Sequence, residues 1–160
     1  MNLAEIGKMI LTKENLNSVY QTGEKMRRLV NDYYTDLGAW LDVPFFDFYR
    51  YVCNLPYIPD PENVEFISRP ELTLDPNFTV ARDCDDKSVL LACWWTCPGH
   101  ERKKRFVASS TKPNGKLHHV FTQLENGIFL DGTYKKNENY FGVYPFMKKI
   151  TRLIPLTEFF

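Results

Sequence analysis

The chain lacks any apolar segment long enough to cross a membrane. A spanning helix needs about 20 consecutive apolar residues, and none of the runs within the 160 residues approaches that length. The amino-terminal segment carries Glu5 and has no charged region followed by a long apolar one, which argues against a signal peptide. The sequence therefore predicts a cytoplasmic protein with no membrane partner.

The chain also lacks net charge. Its 20 Lys and Arg residues balance 20 Asp and Glu residues, so the formal charge is zero. A role in nucleic-acid binding that is driven by net charge is excluded on this ground. The basic run from Arg102 to Arg105 is interpreted as a solvated loop before a strand. Internal repeats and low-complexity tracts are absent as well.

What the chain does have is apolar and aromatic side chains, at 44% and 15% of its residues. This content can fill a core, and the length suits one domain better than two. We therefore predict a single domain over residues 1–160, with a helical part over 1–55 and a core part over 56–160.

Two helices are predicted in the first part. Apolar residues recur at three- and four-residue steps from Leu16 to Tyr33, which indicates an amphipathic helix beginning near Thr12. Pro44 then indicates the first turn of a second helix. One face of that helix carries Phe45, Phe48, Tyr49 and Val52.

The connector from Leu55 to Pro76 contains five prolines, which exclude a long helix and favour an extended, ordered path. It is either a wrapped loop or one wall of a substrate cleft. The next helix, Asp85 to Thr96, is apolar nearly all round, which is typical of a buried helix. Pro98-Gly99 ends it.

Strands are predicted at Arg105–Ser109, Leu117–Leu124 and Ile128–Asp131, with one or two more between Val143 and Leu156. Glu125-Asn126-Gly127 is typical of a β-hairpin turn. The predicted fold class is α+β, with N-terminal helices and a buried helix packed on an antiparallel sheet.

Three side chains suited to covalent chemistry lie at the ends of these elements. Cys84 opens the buried helix, and His119 and Asp131 lie on the two strands that the hairpin joins. A thiol, an imidazole and a carboxylate in this arrangement form a nucleophile, a base and a group that orients the base. Because neighbours on a strand face opposite sides, only one of His118 and His119 can enter the cleft.

Groups of opposite charge around Cys84 act on the ionisation of its thiol in opposite directions. A helix N-terminus and a nearby imidazolium both favour the thiolate of Cys84, whereas Asp83, Asp85 and Asp86 disfavour it. We expect Asp85 and Asp86 to turn away and stabilise the first helical turn. Lys87 is expected to offset part of their charge.

Two metal sites are alternatives to this interpretation. Cys93, Cys97 and His100, with Cys84, have the elements of a zinc site, but cysteines inside an apolar helix are more often packing residues. The run Asp83-Cys84-Asp85-Asp86 lacks the glycine and terminal glutamate of a calcium loop. The prediction is no metal and no cofactor.

Three stretches resemble one family. The stretches are Arg82-Asp83-Cys84-Asp85-Asp86-Lys87, His119-Val120-Phe121 and Leu130-Asp131-Gly132-Thr133. They are similar to motifs of the transglutaminase-like branch of the papain-like cysteine-enzyme superfamily. The acidic form of the cysteine motif is most similar to small proteins of tailed phages and prophages. The resemblance covers Tyr57 to Tyr134. Two departures are Arg82, where a glycine is common, and Phe121, where tryptophan is common.

The resemblance implies a papain-like core and thiol-dependent acyl transfer on the amide of a protein or peptide substrate. Cys84 would attack, His119 would move the proton and Asp131 would orient His119. Transfer of the acyl group from Cys84 to water is the reaction of a protease or amidase. Transfer to an amine is the reaction of a transglutaminase. The Cys84 N–H and a connector group such as Tyr57 would hold the oxyanion, with Asp83 at the substrate cleft.

The resemblance also implies phage virion or assembly components as partners, and a bacterial, phage-infected or virion location. The alternative is a non-catalytic phage or prophage structural, assembly or peptide-binding protein on the same fold.

Overall fold

The computed structural model describes residues 7–9, 16–62, 64–139, 141 and 149–160. Within these residues the α-helices are α1 (Leu16–Tyr33), α2 (Phe45–Asn54), α3 (Pro70–Leu74) and α4 (Cys84–Trp94). Two 3-10 helices, Tyr34–Asp42 and Lys135–Asn139, connect larger elements. None of these helices is both long and apolar enough to cross a membrane.

The strands form two antiparallel sheets. Strand β1 (Gly7–Met9) pairs with β2 (Glu65–Ile67). The larger sheet has the order β5-β4-β3-β6 and contains β3 (Lys104–Ser110), β4 (His119–Leu124), β5 (Phe129–Leu130) and β6 (Arg152–Pro155). The mixture of helices and antiparallel sheet confirms the predicted α+β class. The single-domain boundaries stay a prediction.

The predicted elements around the sheet agree with the structure in position and differ at their ends. Strand β4 begins at His119 rather than at Leu117, and β6 fills the end of the predicted Val143–Leu156 region. The proposed N-cap Thr12 and residues 142–148 lie outside the described residues. The proline-rich connector contains no long helix, as predicted, but it does contain β2 and the short α3.

Helix α4 lies at the centre of the core. All of its residues from Asp85 to Trp94 are buried, because α1, α2, α3, the first 3-10 helix and β4 pack around it. Burial on every side accounts for its apolar sequence and confirms that prediction. The packing brings the first turn of α4 against the beginning of β4.

Candidate active site

The first turn of α4 is held by a capping box. Asp83 is the N-cap, and its carboxylate accepts a hydrogen bond from the Asp85 N–H at 3.2 Å. The Asp86 carboxylate reaches back to the Asp83 N–H at 3.3 Å. These bonds satisfy N–H groups that have no partner inside the helix. Cys84 is therefore the first residue of a helix whose N-terminus is stabilised by a capping box. Its side chain is half-buried.

His119 and Asp131 form a hydrogen-bonded pair across the hairpin. The His119 Nε2 and Asp131 Oδ2 atoms lie 2.7 Å apart, and the two side chains are only 10% and 7% exposed. Burial raises the pKa of Asp131, but hydrogen bonds from His119 and Thr133 more than offset this and hold that pKa below its ordinary value. Because an ionised carboxylate only accepts, Nε2 carries the proton, and Nδ1 is the basic nitrogen of the neutral ring.

The Cys84 sulfur lies next to the strand that carries this imidazole. The backbone N–H of Val120 donates a hydrogen bond to the sulfur, and the Val120 nitrogen is bonded directly to the carbonyl carbon of His119. Ser88 reinforces the contact, since its Oγ lies 2.6 Å from the Cys84 carbonyl oxygen and 3.3 Å from that of Val120. The structure thus brings the start of α4 and the start of β4 together.

A cavity of about 180 Å³ opens beside the thiol. Cys84, His119 and the acidic residues Glu65, Asp83 and Asp85 line it. His118 lines it as well, although the sequence predicts that only one of the two histidines enters the cleft. Apolar residues line it too: Val19, Ala108, Leu117, Val120 and Leu156. The thiol and the imidazole therefore face a common space, which a small acyl group can enter.

His118 is placed differently from His119. Its Nε2 atom accepts a hydrogen bond from the Thr111 N–H at 3.1 Å, at an exposed position. Burial, followed by the charges of Lys112 and His119, lowers the pKa of His118. Of the two histidines, it is His119 whose ring meets the Asp131 carboxylate.

The thiol itself is not a thiolate at rest. Burial and the Asp83 carboxylate raise the pKa of Cys84 well above its ordinary value, and the hydrogen bond from Val120 offsets only part of this. Of the opposing influences that the sequence indicates, the disfavouring charge of Asp83 acts on the thiol as expected. The sulfur needs a base that removes its proton during the reaction.

The acidic neighbours of Cys84 only partly follow the sequence prediction. Asp86 does stabilise the first turn, and its Oδ1 also accepts from the Ser68 N–H at 2.7 Å. Asp85 does not turn away, because it lines the cavity and shares hydrogen bonds with the Glu65 and Asp83 carboxyl groups. Lys87 does not pair with these acids; its ammonium group donates to two backbone carbonyls instead.

This carboxyl cluster predicts a pH dependence of stability. Burial and the nearby Asp83 raise the pKa of Asp60 to about 7, and burial also raises the pKa of Glu65 and Asp85. A raised folded pKa means that the folded state binds more protons, so stability falls as pH rises from about 4 towards 7. We expect the unfolding midpoint to be about 4 °C higher at pH 5.5 than at pH 7.5, measured by thermal melts.

Asp60→Asn isolates this effect from that of His118, whose lowered pKa acts in the opposite direction. The amide keeps an acceptor for the Phe66 N–H, which now bonds Asp60 Oδ2 at 2.8 Å. The variant should match the native melt at pH 5.5 and exceed it at pH 7.5. Identical pH dependence in the two proteins would contradict a proton on Asp60.

Tyr134 lies beside the imidazole, and Tyr57 packs against Tyr134. The Tyr57 and Tyr134 rings lie 5.6 Å apart, and the Tyr134 ring lies nearly parallel to that of His119 at 6.3 Å. Burial and the charge of Asp83 raise the pKa of Tyr57, so its hydroxyl remains a donor. Tyr134 was missed by sequence reasoning, although it directly follows the Asp-x-Thr stretch.

The metal alternatives find little support. Among the described residues, Asp83, Asp85 and Asp86 form the one group with metal-ligand spacing, with oxygens within 4.8 Å of one another. Their oxygens accept backbone hydrogen bonds at the start of α4. Cys84, Cys93, Cys97 and His100 do not form such a group in this part of the chain.

The site therefore consists of a neutral thiol at a helix start, a carboxylate-bound imidazole on the adjoining strand and a cavity between them. That arrangement can move a proton from sulfur to nitrogen while the sulfur attacks an electrophile. The chain matches no protein-family model, no curated protein and no solved structure with which it was compared.

Proposed function

We propose that this protein is a thiol-dependent acyl-transfer enzyme with a papain-like, transglutaminase-like core, in which Cys84, His119 and Asp131 act together on the amide of a protein or peptide. One observation carries the proposal. The imidazole that is hydrogen-bonded to Asp131 lies on the strand whose next backbone N–H binds the Cys84 sulfur. Proton transfer and attack would then take place in the cavity that both the thiol and the imidazole line.

The first step begins from the neutral thiol. His119 Nδ1 takes the thiol proton while the sulfur forms a bond to the substrate carbonyl carbon, and Asp131 stabilises the imidazolium that results. The tetrahedral intermediate collapses with cleavage of the carbon–nitrogen bond. His119 returns the proton to the departing amine, which leaves an acyl thioester on Cys84.

Two donors suit the oxyanion of that intermediate. The Cys84 N–H belongs to the first turn of α4, where N–H groups have no helical acceptor. The Tyr57 hydroxyl is kept protonated by its raised pKa, and its ring packs against Tyr134 beside His119. Asp83 acts as the helix cap at the edge of the cavity rather than as a reacting group.

The thioester is resolved in a second step. His119 takes a proton from water while the water oxygen forms a bond to the thioester carbon. The carbon–sulfur bond then breaks, and His119 gives the proton to the departing thiolate, which yields the free acid and the Cys84 thiol. An amine in place of water gives a new amide. We propose hydrolysis as the main outcome, because an amine must outcompete water at a far higher concentration.

One observation favours a second function, a non-catalytic phage or prophage structural, assembly or peptide-binding protein. The carboxyl groups and burial keep the Cys84 thiol neutral, and a thiol without a chemical role needs no activation. In that case the exposed Tyr57–Tyr134 pair belongs to a binding face.

Acylation by p-nitrophenyl acetate separates the two functions. This activated ester demands little specific binding, so it tests the thiol and its base directly. We expect a burst of nitrophenolate and an acetyl group on Cys84, located by peptide mass spectrometry. Glycine amide added during the reaction then reports whether an amine competes with water for the thioester.

Cys97→Ser is the matched control, because Cys97 is the other half-buried thiol. It should retain the burst, and Cys84→Ser should lose it. Equal acetylation of Cys84 and Cys97, or no burst at all, would rule out the enzyme and leave the binding protein.

A further inference from the structure

Lys87 lies one helical turn after Cys84 and is buried, with 1% of its surface exposed. Its Nζ atom donates hydrogen bonds to the carbonyl oxygens of Leu55, at 2.7 Å, and Thr133, at 2.9 Å. A buried ammonium group is costly unless its protons are bound. The two carbonyls therefore fix its position.

The Thr133 end of this link belongs to the loop that carries Asp131. The Thr133 N–H donates to Asp131 Oδ1 at 3.1 Å, and the Tyr49 hydroxyl donates to the Asp131 carbonyl at 3.1 Å. Gly132 lies so close to α2 and α4 that an added Cβ would come within 2.9 Å of Val52 and 3.1 Å of Leu91. The loop is thus packed closely and bonded at several points.

Lys87 is the residue through which α4 binds this loop by a side-chain hydrogen bond. Cys84 begins the same helix, and Asp131 Oδ2 bonds His119 Nε2 at 2.7 Å. A continuous path of bonded groups therefore runs from the helix of the thiol to the imidazole. Displacement of Thr133 would move the Asp131 carboxylate and turn the His119 ring away from the sulfur.

We propose that Lys87 is a positioning residue, which holds the Asp131 loop against α4 and so aligns the His119–Asp131 pair with the Cys84 sulfur. This inference rests on the proposed function for its catalytic consequence, but the alignment itself is a structural statement. The side chain suits the task because its stem crosses the apolar interior and its ammonium group offers three donors.

Lys87→Met tests the inference, since methionine has a similar length and no donor. Its first readout is the His119 Nε2–H resonance in ¹H–¹⁵N spectra, which the hydrogen bond to Asp131 protects from exchange with water. We expect this resonance to broaden or disappear. The second readout is acylation by p-nitrophenyl acetate, where we expect kcat to fall by about tenfold to 100-fold with little change in KM.

Lys104→Met is the matched control. Lys104 is also buried, and its Nζ donates to the Trp95 carbonyl at 3.5 Å, away from the Asp131 loop. Lys104→Met removes a comparable ammonium group but leaves the Asp131 loop untouched. The variant should therefore keep the His119 resonance and kcat unchanged. If Lys87→Met fails to fold in a thermal melt, Lys87→Gln is measured in the same way, because its amide keeps two N–H donors on a side chain one atom shorter.

The two proposals fail differently. If the native protein forms no acyl group on Cys84, the proposed function is wrong, and the His119 resonance still decides whether Lys87 aligns the pair. If the native protein is acylated and the folded Lys87 variants keep both the resonance and kcat, the role of Lys87 is overturned alone. Equal losses in the Lys87 and Lys104 variants would also overturn it.

Discussion

His119→Ala is expected to lower the rate of Cys84 acylation by about 10³-fold, whereas His118→Ala should leave it nearly unchanged. General-base catalysis by a positioned imidazole contributes on this scale. The reason for a loss this large is the state of the thiol. Burial and Asp83 raise the pKa of Cys84, so little thiolate is present at neutral pH without a base.

The measurement is the burst rate with p-nitrophenyl acetate, taken from pH 6 to pH 9. In the His119→Ala variant, the remaining rate should rise with pH over this whole range, because hydroxide alone then ionises the thiol. A resting ion pair would give instead a flat native profile that extends to low pH. Loss of the burst in His118→Ala, with a normal burst in His119→Ala, would contradict the assignment of the base.

Asp131 explains why the two neighbouring histidines should differ so strongly. Only His119 is held by a buried carboxylate, at 2.7 Å, whereas His118 accepts a hydrogen bond from the Thr111 backbone at the surface. Chemistry that needs a fixed tautomer is therefore available to one histidine and not to the other.

The main parts of the site could be predicted because each depends on a local pattern. The apolar run after Cys84 indicates a buried helix, and Asp83 with Asp86 supplies the capping box at its start. The hairpin follows from Glu125-Asn126-Gly127, where Gly127 has a φ of 87° that suits glycine. Helix start and hairpin together place three distant residues in one region.

The groups around that centre could not be predicted, because their partners come from irregular segments. Glu65 meets Asp85 through the proline-rich connector, and no periodicity encodes where that connector runs. Lys87 lies on a helix that is apolar all round, so the pattern does not say which neighbour its ammonium group meets. The sequence alone therefore leaves the state of the Cys84 thiol as a balance between opposing influences.

The contacts of Arg82 could not be predicted from a local pattern either. Its place before the cysteine motif, where the resembled family commonly has glycine, indicated only a less tight turn. In the structure Arg82 is completely buried, and its backbone pairs with Ile58 through bonds of 2.8 and 2.9 Å. The residue joins the connector to the start of α4.

Arg82→Met is expected to destabilise the protein by about 4 kcal/mol, which lowers the unfolding midpoint by roughly 8–16 °C. The guanidinium group donates to the Thr73 carbonyl at 2.8 Å and the Phe78 carbonyl at 3.1 Å, and also to the Asp75 carbonyl. Methionine would leave these acceptors without their donor, and each buried, unsatisfied polar group costs about 1–3 kcal/mol. Thermal and urea melts measure the loss.

Arg105→Met is the control, since Arg105 is only half-buried and its side chain bonds Gln123 at 2.9 Å on the sheet. It should cost less than about 1 kcal/mol. Arg82→Lys should fall between the two, because an ammonium group keeps the charge but not the planar set of donors that reaches several carbonyls. If Arg82→Met melts like the Arg105 variant, the guanidinium contacts do not stabilise the segment before Cys84. Tyr57 and the α4 cap would then owe their positions to backbone pairing alone.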